Sequence, residues 1–319
     1  MTTYFITGGF GFLGQHIVKA LHDHDSDADL RVLGRTKRST LLGVENLDRV
    51  RWIQGDLSKL ESFESELQDV DVIVHNAAMV SFSKSDADAI YQANIVGTRN
   101  LSQAALNAGS KNFIFISSIS AIGRKKGQIS DESIYPDAEN KRQHDMYGYS
   151  KMVSETELKE LKDQMRVIIL NPSVVLGPGS DRIDSAFRIL RFLPILPMLS
   201  YINSFVDVRE VAQAVILSLT KGRSGERYIV TAHNTDMLTA MKLTVRAMGK
   251  NPLILPVSSL GIRAFDGIVR ILDFLKLKSG MRLPSDIAVD KPFSSKKIRR
   301  EMGWESSFTL EQSIIDSIS

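Results

Sequence analysis

The chain has 319 residues and a mass of 35.5 kDa, with 43% hydrophobic and 24% charged residues, which is ordinary globular usage and excludes disordered and collagen-like classes. Its complete lack of cysteine excludes disulfides, thiolate nucleophiles, iron–sulfur clusters and Cys-bearing zinc sites, and points to the reducing cytoplasm. The 40 basic and 37 acidic residues are scattered along the chain, so a nucleic-acid partner has no support.

No basic and apolar leader precedes the β-type run at Tyr4, and no signal peptide is expected. Phe192–Leu199, interrupted by Pro194 and Pro197, is far shorter than the ~20 residues of a bilayer span, so no membrane span is expected either. The length suits one large domain with an annex, or two domains.

In chain order, the strand Tyr4–Thr7 runs directly into Gly8-Gly9-Phe10-Gly11-Phe12-Leu13-Gly14 and the apolar helix Phe12–His22. Glycine lets a backbone turn tightly, approach a pyrophosphate and pack a helix against a sheet, while the helix N-terminus supplies N–H donors. A dinucleotide is therefore the expected ligand of this loop, against the alternative of a tight structural turn. His22-Asp23-His24-Asp25 imitates a metal site, but it stands where the helix ends and reads as a solvated turn.

The second strand, Leu30–Leu33, ends in Gly34-Arg35-Thr36-Lys37-Arg38. A site for NAD usually carries an acid here for the ribose 2′-hydroxyl. The cations Arg35, Lys37 and Arg38 instead suit a 2′-phosphate, which favours NADP and leaves NAD as the alternative in which the loop is merely solvated.

Further strands follow at Val50–Ile53, Val70–His75, Asn112–Ser117 and Arg166–Leu170, separated by expected helices Ser62–Leu67, Ala87–Ala108 and Tyr147–Lys162. This alternation predicts an α/β fold with a doubly wound parallel sheet. Asn94 lies inside an otherwise apolar helix, where it suits a bracing, relay or purely structural contact. Tyr147 and Lys151 share one helix face, so the ammonium favours the phenolate of a tyrosine that exchanges a proton with a carbonyl or alcohol oxygen. Ser117-Ser118 ends the fifth strand, at the sheet edge where ligands bind, and offers a hydroxyl to the same oxygen.

After Pro172 the composition shifts toward Pro, Met and Leu, and residues 178–319 are expected to form mainly a smaller substrate-binding domain. Residues 1–177 form the dinucleotide-binding domain, to which 204–230, with strand Ser204–Val208 and helix Glu210–Thr220, return. The apolar segment Ile183–Tyr201 reads as a substrate wall or as domain core. The amphipathic stretch Leu260–Leu275 reads as packing onto this domain, a lid or a membrane-surface contact.

Taken together, the ordered motifs Thr7–Gly14, Asp56-Leu57, His75-Asn76-Ala77-Ala78, Asn94-Ile95-Val96-Gly97-Thr98, Ser117-Ser118, Tyr147 with Lys151, and Asn171-Pro172-Ser173 resemble the extended short-chain dehydrogenase/reductase family, also called the NAD-dependent epimerase/dehydratase family. The resemblance covers nearly the whole chain and implies a Rossmann fold with a smaller C-terminal substrate domain. It implies Tyr147 as general acid/base, Lys151 as its partner and ribose ligand, and Ser118 as the hydroxyl on the substrate carbonyl, with Asn94 kept beside them as a candidate whose bracing, relay and structural readings stay open. It also implies Gly8, Phe10, Gly11, Phe12, Leu13 and Gly14 at the pyrophosphate, Asp56 and Leu57 at the adenine, Ala77 and Ala78 beside the cofactor, and Asn171, Pro172 and Ser173 at the nicotinamide.

Within this family, dehydratases typically carry an acidic pair after the catalytic hydroxyl, where this chain has Ile119-Ser120. Epimerases usually place an arginine for the nucleotide pyrophosphate where this chain has Asn203, although Arg188, Arg191 and Arg209 are nearby in sequence. With these departures, the apolar segment 183–201 and the cationic loop at Arg35 favour the branch of dihydroflavonol-reductase-like and 3β-hydroxysteroid-dehydrogenase-like proteins, hence an NADP(H)-dependent oxidoreductase acting on an apolar ketone or aldehyde and its alcohol. The alternatives are a nucleotide-sugar epimerase with bound NAD and a non-catalytic cofactor-binding regulator. A homodimer is implied, through helices Ala87–Ala108 and Tyr147–Lys162.

Overall fold

Seven strands run parallel in the main sheet: β1 (Thr3–Thr7), β2 (Asp29–Gly34), β3 (Val50–Gln54), β4 (Val72–His75), β5 (Asn112–Ile116), β6 (Arg166–Pro172) and β10 (Glu226–Val230). Their order is β10-β6-β5-β4-β1-β2-β3, which reverses direction between β1 and β4. Such a reversal opens a crevice at the carboxyl ends of the strands, and it sets where a ligand can lie. This computed structural model describes residues 1–36, 48–81, 83–125, 127–179, 195–249, 253–257, 290 and 292–318.

Both faces of the sheet are buried, as the apolar runs of parallel strands require. On one face Tyr4, Ile6, Leu30, Val32, Val74, Ile114, Ile168 and Leu170 pack with helix α1 (Phe12–His24) and with helix Val208–Thr220. On the other, Phe5, Leu33, Ile73, Phe113, Phe115, Val167 and Ile169 pack with Leu101, Ala105 and Leu158 of the helices across them. The alternation of Ile6 with Phe5, and of Ile114 with Phe113 and Phe115, is the two-residue period of a strand.

The expected helix Ala87–Ala108 is present but changes winding. α2 (Ala87–Ile90) passes into a π-helical turn, Tyr91–Val96, and then into α3 (Gly97–Asn107). Ser62–Leu67 is corrected to two 3₁₀ turns, Leu60–Ser62 and Glu64–Leu67. The Ser62 hydroxyl donates to the Lys59 carbonyl and accepts from the Asp56 N–H, which satisfies backbone groups locally in place of a regular helix. α4 (Ala138–His144) leads into α5 (Met146–Lys159), whose N-cap Asp145 accepts from the Gly148 N–H at 2.8 Å.

A second, three-stranded sheet contains β7 (Val174–Leu176), β9 (Ile202–Asp207) and β11 (His233–Asp236) in the order β11-β9-β7, and β8 (Ile195–Leu199) pairs in parallel with β12 (Leu253–Val257). Lys37, Arg38, Arg188, Arg191, most of the apolar segment 183–201 and the amphipathic stretch 260–275 lie outside the described residues. No helix among the described residues is long and apolar enough to cross a membrane.

Candidate active site

The crevice starts with Gly8, directly after β1, at a φ of +67°. A Cβ on Gly8 would stand 2.7 Å from the Ala77 nitrogen just beyond β4, and one on Gly14 would stand 2.0 Å from the Gly8 carbonyl oxygen. The two flanking glycines are therefore fixed by close backbone approach. Gly11 differs: only the Gly8 oxygen, at 3.3 Å, lies near the place of its Cβ. It is exposed, it is the N-cap of α1, and it makes no side-chain cap hydrogen bond. With no acid in the first turn, the N-terminus of α1 keeps its donors and its partial positive charge for an anion. Phe10, Phe12 and Leu13 are half-buried along this turn, and the Phe10 ring lies 3.2 Å from where a Cβ on Gly34 would be.

Across the switch point, Thr7 and His75 join the two central strands. Thr98 donates its hydroxyl proton to the Asn94 carbonyl at 2.5 Å, so it accepts from His75 Nε2 at 2.8 Å. That leaves His75 Nδ1 to accept from the Thr7 hydroxyl at 2.7 Å, while Thr7 accepts from the Ala77 N–H at 3.1 Å. Every proton in this chain has one direction, which fixes the neutral Nε2–H tautomer. Complete burial, aided by the charge of Lys151, pushes the His75 imidazole down to about 3.

Ser118 and Ser117 point to different sides of the strand end. Ser117 donates to Glu155 Oε1 at 2.5 Å inside the protein. Ser118 is half-buried and its hydroxyl oxygen accepts from the Ser120 N–H at 3.1 Å, which leaves its own proton to donate. Tyr147, in the first turn of α5, is half-buried. One turn later Lys151 is buried, donates to the Ile116 carbonyl at 2.8 Å, and lies 4.6 Å from the centre of the Phe115 ring. Burial pulls its ammonium down to about 7, against the charge of Glu155, which holds it up.

Asn94 sits in the π-helical turn. Its side chain accepts from the Met79 N–H at 2.7 Å and donates to the Met79 carbonyl at 3.0 Å and to the Ser150 hydroxyl at 3.0 Å. These contacts brace the strand β4 exit against α5. Its carbonyl also accepts from the Ser154 hydroxyl at 3.2 Å.

Asp56 and Leu57 lie half-buried beyond β3. Asp56 accepts from the Ser58 N–H and hydroxyl at 2.9 and 2.8 Å, and these bonds, together with the nearby Arg35 charge, hold its carboxyl below the usual range. Arg35 itself is exposed. Ala77 is half-buried and Ala78 exposed, at the mouth of the crevice. Asn171, Pro172 and Ser173 are buried at the end of β6. Asn171 donates to the Ser118 carbonyl at 3.0 Å and to Glu155 at 2.5 Å, while its Oδ1 and the Ser173 hydroxyl have no hydrogen-bond partner among the described residues.

Buried polar atoms without partners are costly and point to a missing one. The Gly8–Gly14 cradle fits the pyrophosphate of a dinucleotide, and the two unpartnered polar atoms stand at the end of β6, on the same edge of the sheet.

The model of the NAD-dependent epimerase/dehydratase family matches residues 4–231. The chain belongs to this family. It is an NAD(P)-dependent enzyme of the extended short-chain type. A Synechocystis sp. protein named as a dihydroflavonol 4-reductase is 32% identical over 244 residues, 73% of this chain and 69% of that protein. Sterol demethylase protein B of Methylococcus capsulatus is 30% identical over 240 residues, covering 73% and 70%. UDP-glucose 4-epimerase of Vibrio cholerae is 26% identical over 319 residues, covering 96% and 92%. Among solved structures, gox2253 shares the fold with a TM-score of 0.81 at 24% identity, over 100% of this chain and 97% of that one.

The expected residues Gly8–Gly14, Ser118, Tyr147, Lys151 and Asn171–Ser173 thus gather at the carboxyl edge of one sheet. Thr7 and His75 stand within motifs visible in the sequence but without a role assigned there, whereas Glu155 and Arg227 belong to no motif. Glu155 had a signal, since it continues the four-residue spacing of Tyr147 and Lys151 along α5. Arg227, alone in an otherwise ordinary strand, had none.

His22 and Asp23, from the apparent metal motif, are engaged with Arg49 and Lys19, respectively, at the end of α1. Arg209 is held by Asp207 at 2.8 Å and Asp316 at 2.6 Å and stacks 3.6 Å from the Phe308 ring centre, which removes it as a free cation for a diphosphate.

Proposed function

We propose that the protein is an NADP(H)-dependent reductase that interconverts an apolar ketone or aldehyde with its alcohol. The observation that carries this reading is the placement of Tyr147 one helical turn from the buried Lys151, on the helix that flanks the Ser118 end of β5. A bound nicotinamide cofactor supplies or accepts the hydride. Ser118 donates its hydroxyl proton to the substrate oxygen and orients the carbonyl. Tyr147 gives its phenolic proton to that oxygen as negative charge develops, and takes it back in alcohol oxidation. The Lys151 ammonium stabilises the phenolate left behind, and its remaining donors are available to the cofactor ribose. Asn94 holds Ser150, and with it α5, in register.

Gly8, Phe10, Gly11, Phe12, Leu13 and Gly14 hold the pyrophosphate, Asp56 and Leu57 the adenine, Ala77 and Ala78 the wall beside it, and Asn171, Pro172 and Ser173 the carboxamide end. Arg35, followed in sequence by Lys37 and Arg38, is the cation that would meet a 2′-phosphate. Gly34 agrees with this choice, because it leaves no carboxylate at the end of β2, and a Cβ there would press on the Phe10 ring at 3.2 Å. Residues 1–177 with 204–230 carry the cofactor, and the rest of 178–319 mainly the substrate. Helices 87–107 and 146–159 are the surface for a second copy of the chain, and the absence of cysteine suits the cytoplasm.

A nucleotide-sugar epimerase is the second reading, favoured by the full-length likeness to the Vibrio cholerae enzyme. Against it, Asn203 brings no charge and Arg209 is committed to two aspartates. Turnover with NADPH across bulky apolar aldehydes and ketones, measured beside turnover of UDP-sugars, decides between them. Tight saturable binding of a UDP-sugar with no carbonyl reduction would reverse the assignment.

A further inference from the structure

Behind the site lies a second polar cluster that the mechanism does not use. Glu155 is buried on α5, one turn beyond Lys151. Its Oε1 receives the Ser117 hydroxyl and the Asn171 amide, both at 2.5 Å, and its Oε2 receives Arg227 at 3.3 Å. Arg227, equally buried, donates in addition to the carbonyls of Glu132 at 2.7 Å and Ile134 at 3.0 Å, in the segment that follows Ser118. One carboxylate thereby joins β5, β6, β10 and α5, and Asn171 carries the connection to the Ser118 carbonyl.

We propose that Glu155 is a positioning residue for the active site: the buried counter-charge that keeps Lys151 protonated, and the anchor that aims Ser118 by holding Ser117 and Asn171. The role rests on the assignment of Tyr147 and Lys151 as a working pair. An ammonium enclosed by the Ile116 carbonyl and the Phe115 ring has lost most of its hydration, and a charge without hydration neutralises unless an opposite charge stands near. From β4 the neighbour His75 is neutral and brings no negative charge. From α5 the neighbours are Tyr147, whose phenolate is the species Lys151 serves, and Glu155. Among the described residues, the partners on the far side of Glu155 are donors or cations: Arg227 from β10, Lys159 on α5, Ser117 and Asn171. Burial pushes the Glu155 carboxyl up, and these partners together hold its ionised form. Tyr135, stacked 4.0 Å from the Arg227 guanidinium with its hydroxyl 3.0 Å from Lys159, closes the cluster toward solvent.

The test reads the charge of Lys151 directly, without substrate. In the full chain labelled with 13C at lysine Cε, the Lys151 resonance is assigned by its loss in Lys151→Met and titrated with pH. Glu155→Gln, which preserves shape and removes the charge, is expected to lower the Lys151 midpoint by about one pH unit or more. Glu155→Asp is expected to restore part of it.

A buried pair that serves only to hold the fold would lower thermal stability in Glu155→Gln and leave the midpoint where it was, and that result overturns the proposal. If Glu155→Gln does not fold, Glu155→Gln with Arg227→Met removes both buried charges together, and the same direction of shift is required of it. A shifted midpoint in a protein that reduces no carbonyl compound refutes the proposed reaction and leaves the role of Glu155 standing. An unshifted midpoint in an active reductase does the reverse.

Discussion

At the scale of single residues, the site is bought with stability. Lys151 is buried with its ammonium pulled from 10.5 to about 7, so the unfolded chain binds more protons than the folded one between these values. The folded protein therefore gains stability as pH rises from 7 toward 10.5, and at neutral pH Lys151 is a net cost in the absence of cofactor. Lys151→Met is expected to raise the cofactor-free unfolding free energy at pH 7, by a few kcal/mol at most (about 1.4 per pK unit), and chemical denaturation should show the gap closing above pH 10. A variant no more stable than the parent would contradict the burial of a charge. Tyr147→Phe separates chemistry from binding: turnover should fall by about 10²–10⁴, the usual worth of a general acid, with cofactor affinity nearly intact by titration calorimetry. Spacing put Tyr147 and Lys151 one turn apart on a single helix, as they stand in α5, while the choice of Ser118 over Ser117 came from the family resemblance. His75 stands in one of the ordered motifs, but its role was not legible, because it depends on Thr7 and Thr98, 68 residues before it and 23 after it.

At the scale of elements, the glycine loop divides into parts that the sequence does not distinguish. Gly14 is required by the fold, since its Cβ would overlap the Gly8 carbonyl at 2.0 Å, whereas the place of a Gly11 Cβ meets only one atom, at 3.3 Å. Gly14→Ala should lose both thermal stability and cofactor binding. Gly11→Ala should keep the cofactor-free melting temperature within a degree or two (about 0.5 kcal/mol) while dinucleotide affinity falls at least about tenfold, because the methyl group occupies the approach to the helix N-terminus. Differential scanning calorimetry with and without NADPH checks both. Arg35→Ala should lower NADP(H) affinity roughly tenfold and leave NAD(H) unchanged, as for loss of one charge-assisted contact at an exposed site. Equal losses for the two cofactors in a binding titration would assign Arg35 to the adenine or to the fold. The six strands of the first half were legible from their apolar runs. The π-helical turn at Tyr91–Val96 was not, because the apolar spacing of a helix continues through it, and the contacts of Asn94 with Met79 and Ser150 in that turn are long-range.

At the scale of the whole molecule, strand order places the chemistry. The reversal between β1 and β4 opens the crevice, Gly8 and Ala77 meet across it, and α5 brings Tyr147 and Lys151 to the same edge. Alternating apolar strands and helices made this architecture readable, since a parallel sheet must be covered on both faces. The Glu155–Arg227 pair was beyond sequence reasoning, as 72 residues separate its members and only the docking of β10 beside β6 joins them. The central claim, carbonyl reduction with net use of NADPH, is tested most directly with NADPH deuterated at the transferable C4 position and an apolar carbonyl substrate. One deuterium should appear in the product alcohol for each NADPH oxidised, and both signals should be lost together in Tyr147→Phe. Turnover of a sugar nucleotide that leaves the cofactor pool unchanged, with no deuterium delivered to any carbonyl compound, would contradict it.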